Sequence, residues 1–134
     1  MANLYSYKEK RLNQFLSNEL LIKIKLEKYG IVYNKTEFYN IDTFVIDTFY
    51  KYDFVRYDIK QLDGAIMKND PHSHDGDEAR MVLRGEGRFY FDLEDRQLQL
   101  DVVAGDFVVI PANLIHYFKT NGCMTVIRFF SDFE

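Results

Sequence analysis

From Glu78 to Phe130 the chain reads EARMVLRGEGRFYFDLEDRQLQLDVVAGDFVVIPANLIHYFKTNGCMTVIRFF. Short runs of β-branched and aromatic residues alternate here with Gly, Asp, Asn and Pro, which is typical of strands separated by turns. Asn121-Gly122 has the composition of a two-residue hairpin loop. With the preceding alternating run, the strand-like segments are 54–62, 78–84, 88–93, 97–103, 107–110, 115–119 and 123–130. Seven or eight short strands without helical crossovers predict a mainly β protein, an antiparallel β-barrel or jelly roll.

The first fifty residues differ in their pattern. Ser6 and Glu9 have the spacing of a helix capping box, and apolar residues recur after them at roughly helical intervals. Asn18 could cap a second helix, Gly30 could end it, and residues 41–52 are ambiguous between strand and short helix. We therefore predict one domain over residues 1–134. Its mostly helical N-terminal segment, residues 1–50, is expected to pack outside a β-barrel formed by residues 53–131.

The composition excludes several classes of protein. The 134 residues are 47% hydrophobic and 28% charged, which indicates a globular chain. A formal charge of −4 argues against a nucleic-acid partner. No secretory signal and no bilayer-length apolar run is visible, so we expect a cytoplasmic monomer or homodimer without membrane association. Cys123, the single cysteine, lies in an apolar stretch and is expected to be a buried, inert thiol.

All three histidines fall into one pattern with a glutamate. His72 and His74 form a His-x-His pair, Glu78 follows, and His116 lies on a later predicted strand. Imidazole and carboxylate donors suit Fe(II), Ni(II), Co(II), Mn(II) and Zn(II). An isolated His-x-His pair is weak evidence, but the use of every histidine together with a carboxylate predicts a metal site. Four nitrogen and oxygen donors leave two octahedral positions open, which favours catalysis over a closed structural zinc site.

These residues and their surroundings resemble the acireductone dioxygenase family of cupins. The resemblance covers roughly residues 53–131. It departs from the family where Lys68-Asn69-Asp70-Pro71 stands in place of a Glu before the first His. The segments similar to family motifs are HSHDGDEAR at 72–80, GEGRF at 85–89, GDFVVIP and HYF between 105 and 118, and IRFF at 127–130.

The resemblance implies a reaction and a ligand set. The family cleaves a small anionic 1,2-dihydroxy-3-keto enediol of methionine salvage with O2, using one Fe2+ or Ni2+. The products are formate and an α-keto acid, and nickel can redirect cleavage to release carbon monoxide. By resemblance, His72, His74, Glu78 and His116 hold the metal. Arg80 orients and stabilises the anionic substrate, as a guanidinium that stays protonated.

Four side chains near these motifs have two possible positions each. Arg80 and Arg128 could face the pocket as cations or face solvent on their strands. Phe118 and Phe89 could contact the apolar part of a substrate, or they could be ordinary barrel core, the commoner position for phenylalanine. Strand alternation places Arg80 on the same face as Glu78, but the face of Arg128 cannot be fixed across the Asn121-Gly122 turn.

Three other functions are compatible with the same pattern. One is a cupin dioxygenase acting on a different enediol or diketone. Another is a metal-dependent isomerase or epimerase, in which the ion polarises a carbonyl and no oxygen is consumed. The third is a non-enzymatic cupin that binds a small ligand or a metal. Oxygen consumption separates the dioxygenases from the other two.

Overall fold

Two antiparallel sheets of five strands each contain about half of the residues in the computed structural model, which describes residues 2–37, 40–67 and 70–132. The strands of the first sheet lie in the order β2-β1-β7-β6-β9, and those of the second in the order β3-β8-β5-β10-β4. The elements in chain order are β1 (Asn3–Lys8), β2 (Arg11–Leu16), α1 (Glu19–Glu27), β3 (Val32–Lys35), α2 (Ile41–Lys51), β4 (Arg56–Asp63), β5 (Glu78–Arg84), β6 (Glu86–Asp92), β7 (Gln97–Val103), β8 (Asp106–Ile110), β9 (Ile115–Lys119) and β10 (Cys123–Phe130).

The predicted mainly β architecture is confirmed, with seven strands after residue 53. Of the two predicted forms, barrel or jelly roll, the strands form two antiparallel sheets that do not close into a barrel. No ladder joins a described strand of one sheet to one of the other. The expected hairpin at Asn121-Gly122 is wrong as well, because β9 and β10 belong to different sheets. The turn at Gly85 (φ 85°) likewise carries the chain from β5 in one sheet to β6 in the other. The predicted break at 69–71 lies partly outside the described residues.

The N-terminal segment is not mostly helical, which corrects the sequence-based prediction. Ser6 lies in β1, and Glu9 and Lys10 form a tight turn with φ of 51° and 64°, so the supposed capping box is a hairpin between β1 and β2. The physical reason is tertiary: β1 also pairs with β7, and its Leu4 is buried between the sheets. Long-range pairing overrides local helical periodicity in such a segment.

Both helices begin at an asparagine cap. Asn18 accepts a hydrogen bond from the N–H of Leu21 (3.0 Å) at the start of α1, as predicted. Asn40 accepts a hydrogen bond from the N–H of Thr43 (3.1 Å) at the start of α2. The segment 41–52, which the sequence left ambiguous, is therefore mostly a helix. Gly30, with φ of 78°, follows α1 as expected. Within the described residues, no helix is long and apolar enough to cross a membrane.

Two apolar clusters hold the sheets and helices together. One lies between the sheets and includes Phe91 and Leu98 from the first sheet, with Ile22 of α1 packed against them. The other lies on the outer face of the second sheet, where Met81 packs with Val45 of α2. Strand alternation therefore turns every second side chain of the second sheet towards the first sheet, and that inward face carries the charged residues described below.

Cys123 is exposed and not buried, contrary to the sequence-based expectation. It is the first residue of β10, directly after the exposed Asn121-Gly122 connection. The next residue, Met124, is the one that enters the core between the sheets. The apolar residues that follow Cys123 therefore predicted correctly that the strand enters the core. Cys123 itself does not, because alternation along the strand directs its side chain away from the core.

Candidate metal centre

Three elements bring the four predicted donors together. Glu78 begins β5 of the second sheet, and His116 lies on β9 of the first, so the pair spans the space between the sheets. His72 and His74 lie on the segment before β5. The backbone N–H of His72 donates to His116 O (3.0 Å) and that of His116 to His72 O (2.9 Å), an isolated antiparallel bridge. This bridge positions the His-x-His pair beside β9.

The ring nitrogens of two histidines are oriented by backbone carbonyls. Nδ1 of His116 lies 2.8 Å from Leu114 O, and Nδ1 of His72 lies 3.0 Å from Asp70 O. Each carbonyl accepts a hydrogen bond from Nδ1–H, so the Nε2 lone pair is the one left to bind a cation. Nε2 of His116 lies 2.7 Å from Oε1 of Glu78. Two atoms bearing lone pairs approach this closely only with a proton or a metal ion between them.

The geometry of the cluster fits a metal ion. One ligand atom from each of His72, His74, Glu78 and His116 can be chosen so that all four lie within 4.8 Å of one another. Donors about 2.1 Å from a shared octahedral ion are roughly 3 Å apart when adjacent and roughly 4.2 Å apart when opposite. The four donor atoms would therefore need to move only slightly closer together to coordinate one ion. His72 and His74 are exposed while Glu78 and His116 are buried, which leaves one side of the cluster open to a ligand.

Glu78 is an anion held in a buried position, with its side chain 5% exposed. Burial by itself raises the pKa of this carboxyl group, but the hydrogen bond from His116 and the positive charges of Arg80, His74 and His116 outweigh it. Together they lower the pKa of Glu78 to about 2. The carboxylate is therefore ionised at neutral pH and can act as a donor to a cation.

The depressed pKa of Glu78 gives a pH dependence that can be measured in metal-free protein. A carboxyl group whose pKa is lower in the folded state stabilises the fold above its unfolded pKa and loses that contribution as pH falls through the folded value. The contribution of Glu78 should therefore fade between its ordinary pKa of 4.5 and about 2. In chemical denaturation from pH 5 to pH 2, Glu78→Gln should flatten the decline seen in the wild type. Equal slopes for both proteins would contradict the assignment.

Arg80 lies on the inward face of β5, as the alternation predicted. Its Nη2 is 3.5 Å from Oε2 of Glu78, and its Nη1 donates to the carbonyl of Ala79 at 2.9 Å. The side chain is only 18% exposed. Burial lowers the pKa of Arg80 from its ordinary value, and the carboxylate of Glu78 opposes that shift. A guanidinium in this position remains a cation next to the donor cluster.

Arg128 also faces inward, which the sequence could not decide. It pairs in register with Arg80 across β10 and β5 and with Asp58 across β10 and β4. Its Nε donates to Oδ1 of Asp58 at 2.8 Å, and its Nη2 donates to Oδ2. The second sheet therefore directs two guanidinium groups into the space beside Glu78.

A cavity of about 300 Å³ joins these charged groups to an apolar wall. Phe89 and Phe118 both line it, and their rings lie 4.6 Å apart between centroids. Phe89 is also only 2% exposed and belongs to the apolar cluster between the sheets. It therefore lines the cavity and is part of the core at the same time. The cavity is lined by Leu62, Met67, Asp70, His72, His74, Glu78, Arg80, Val82, Phe89, Tyr117, Phe118, Val126, Arg128 and Phe130.

Two residues that contact the inward arginines, Phe130 and Asp58, were not singled out from the sequence. Phe130 lies 5.1 Å from the guanidinium carbon of Arg128 and 5.5 Å from that of Arg80, measured to the ring centroid. Asp58 holds Arg128 from the neighbouring strand. Phe130 could have been inferred from its spacing of two from Arg128. Asp58 has no local signal, because its partner is 70 residues away.

Comparison with known proteins identifies the family. The model of the ARD/ARD′ family matches residues 67–134, half of the chain. An acireductone dioxygenase of Saccharopolyspora erythraea is 43% identical over 63 residues, which are 46% of this chain and 33% of that protein. One from Rhodopseudomonas palustris is 38% identical over 65 residues, which are 47% of this chain and 39% of that protein. The matched stretch thus spans between a third and two fifths of these curated relatives.

A solved structure extends the comparison to the fold of the whole chain. It is described as acireductone dioxygenase from Bacillus anthracis with a cadmium ion in its active centre. It matches 100% of this chain and 95% of its own, with a TM-score of 0.83 and 20% sequence identity. At that identity the likeness concerns the fold, and the family follows from the match over the second half of the chain, which contains all four donors and both inward arginines. The chain belongs to the ARD/ARD′ family, and the curated relatives that it resembles are named acireductone dioxygenases.

Proposed function

We propose that this protein is a metal-dependent dioxygenase that cleaves an acireductone, a 1,2-dihydroxy-3-keto enediol, with O2. The observation that carries the proposal is a cluster of four candidate metal donors, three of which line one partly apolar cavity together with two guanidinium groups. A small anion that chelates through two oxygens and carries an apolar tail matches that combination. Family membership supports the same reaction.

The proposed metal ligands are His72, His74, Glu78 and His116. Their nitrogen and oxygen donors suit Fe2+ and Ni2+ alike, so we propose either ion as the cofactor. The relative from Bacillus anthracis holds a cadmium ion in its active centre, which supports a divalent cation at this position. When bound, the ion supplies a Lewis acid to which two substrate oxygens can bind.

Arg80 is the proposed catalytic residue. Its guanidinium lies beside Glu78 with low exposure, where its charge acts in a poorly hydrated environment. Such a cation stabilises the enediolate form of the substrate and the negative charge that develops during cleavage. Arg128 would donate hydrogen bonds to the polar end of the substrate, and Phe118 and Phe89 would pack against its apolar tail.

The overall reaction balances with O2 as the oxidant. One bond between the two hydroxyl-bearing carbons breaks, and each of those carbons gains one oxygen atom, giving formate and an α-keto acid. With nickel we propose the alternative in which two bonds break, giving a shorter carboxylic acid, formate and carbon monoxide.

Oxygen uptake tests this function. Protein loaded separately with Fe2+ and Ni2+, with occupancy checked by elemental analysis, is mixed anaerobically with a synthetic acireductone and then exposed to O2. We expect stoichiometric oxygen uptake with formate as a product. A substrate that is rearranged without oxygen uptake would instead support a metal-dependent isomerase. An absence of any turnover at full occupancy with either metal would rule out the proposal.

A further inference from the structure

β4 is an edge strand with an open side. In the second sheet it pairs with β10 over its whole length, and no described strand pairs with its other side. At eight residues it is longer than the other three edge strands, β2, β9 and β3, which have six, five and four. A long edge strand presents a row of unpaired N–H and C=O groups to which another chain can pair. The open side of β4 is therefore a surface to which a further strand can add.

The hydrogen bonds between β4 and β10 decide which residues of β4 face this open side. Directly after β4, the N–H of Gly64 donates to Gly122 O at 2.9 Å, in the same register as the rest of the ladder. Hydrogen-bonded and non-hydrogen-bonded pairs alternate along an antiparallel ladder, so the even-numbered residues of β4 bond to β10. The backbone groups on the open side belong to the odd-numbered residues Tyr57, Ile59 and Gln61.

The outer face beside the open side carries exposed apolar side chains. Tyr57 and Ile59 of β4 are both exposed on this face. The ring of Phe49 lies 6.1 Å from that of Tyr57 between centroids, so α2 continues the same surface. Ile46 and Tyr50, one turn apart on α2, are exposed as well. Apolar side chains clustered at an open sheet edge are typical of a protein–protein interface.

A second copy of β4 can pair in only two registers that use nearly the whole strand. Two strands related by a twofold axis perpendicular to the sheet run antiparallel, and each residue keeps its face. Each pair then joins two residues on the same face, so the axis passes through a residue. Seven of the eight residues stay paired when the axis passes through Ile59, with overlap of residues 56–62, or through Lys60, with overlap of residues 57–63.

Charge distinguishes these two registers. With the axis at Ile59, Asp58 lies opposite Lys60 of the partner subunit, and the symmetry repeats this pair. With the axis at Lys60, two lysines face each other. Opposite charges across an antiparallel pair stabilise it and like charges destabilise it. The Asp58 side chain remains 41% exposed although it binds Arg128, so its carboxylate can accept a further hydrogen bond. The register centred on Ile59 is therefore favoured.

We propose that this protein forms a twofold-symmetric dimer through β4, in which the second sheets of two copies join into one ten-stranded antiparallel sheet. Ile59 pairs with the partner's Ile59, Tyr57 pairs with the partner's Gln61, and Asp58 pairs with the partner's Lys60. The added strand covers part of the exposed apolar surface of β4. This association goes beyond the proposed function and depends on neither the metal nor the reaction.

Cysteine cross-linking of the full chain tests the register. All variants carry Cys123→Ser, because Cys123 is exposed. In a hydrogen-bonded antiparallel pair the Cα atoms are about 5.5 Å apart, which a disulfide can span, so Ile59→Cys should give a covalent dimer under mild oxidation. Tyr57→Cys is the matched control on the same face, since the two introduced thiols would lie more than about 13 Å apart along the strands. Tyr57→Cys mixed with Gln61→Cys should cross-link, although neither does so alone.

Sedimentation analysis tests the association itself. An interface of one strand pair is small, so we expect the wild type to pass from monomer to dimer between about 1 µM and about 200 µM. Lys60→Glu turns two attractive pairs into repulsive ones and should raise the dissociation constant at least about tenfold. Lys8→Glu is the matched control. Lys8 is an exposed residue at the end of β1 in the first sheet, so the same change of charge should leave the dissociation constant unchanged.

Three results would overturn the inference. The wild type could remain a monomer at about 200 µM, well above the range expected for a small interface. Ile59→Cys could cross-link no faster than Tyr57→Cys, or Lys60→Glu could dissociate no more readily than Lys8→Glu. A dimer with either of the last two properties uses a different surface or a different register. Oxygen uptake plays no part in these measurements, so failure of the proposed function would leave their outcome unchanged.

Discussion

Arg80→Ala should retain its metal but lose about a hundredfold to a thousandfold in kcat. The guanidinium lies within 3.5 Å of Glu78 on the cavity face, yet it is not one of the four clustered donors. Its removal takes away a positioned positive charge where negative charge develops on the substrate, and the loss of one such group typically has this magnitude. Single-turnover oxygen uptake at saturating acireductone, with metal content measured on the same sample, checks the prediction.

Arg84→Ala is the matched control for this change. Arg84 is the last residue of the same strand, and its even spacing from Arg80 puts both on the same face. Unlike Arg80, Arg84 is exposed and lies outside the cavity. It should keep near wild-type activity. Arg80→Lys should recover only part of the loss, since an ammonium keeps the charge without the planar arrangement of donors. Wild-type turnover in Arg80→Ala would remove the role assigned to this residue.

His74→Ala should lose metal affinity by at least a hundredfold. Residues that merely orient a metal ligand are worth tenfold to a hundredfold in affinity, so removal of a direct donor should cost more. His74 is a suitable choice because its side chain is 48% exposed, and its loss leaves no buried void. Elemental analysis after dialysis and metal titration by calorimetry measure the effect directly.

The thermal stability of the same variant provides a second readout. A ligand that binds only the folded state raises Tm, so a given concentration of Ni2+ should stabilise the wild type and Arg84→Ala much more than His74→Ala. The metal-free proteins should melt at similar temperatures, because His74 is not part of either apolar cluster. Stoichiometric, tight nickel binding by His74→Ala would mean that the ion is held by a different set of donors.

The donor set was predictable because its signal is local and chemical. His72, His74 and Glu78 lie within seven positions of one another, and His116 is the chain's remaining histidine. Alternation along β5 also predicted that Arg80 shares the face of Glu78, and the structure agrees. For Arg128, Phe118 and Phe89 the sequence left two positions open. In the structure Arg128 lines the cavity between the sheets, and Phe89 and Phe118 both line that cavity and pack in the core.

The errors have one common cause, which is pairing between distant parts of the chain. Ser6 and Glu9 have the spacing of a helix cap, but β1 is held by β7, whose paired residues are at least ninety positions away. Asn121-Gly122 has the composition of a hairpin, but its flanking strands pair in different sheets. Local propensity is worth a few tenths of a kcal/mol per residue, roughly, and burial of an apolar strand against a sheet outweighs it.

Composition and local spacing alone were sufficient for the class of fold, the chemistry of the donors and the resemblance to a family. These properties depend on residue type and on separations of a few positions along the chain, and both can be taken directly from the sequence. The open pair of sheets, the inward face of Arg128 and its pairing with Asp58 were decided by tertiary structure alone. Each depends on the register between strands that are distant in sequence, and register is set by the packing of the whole molecule.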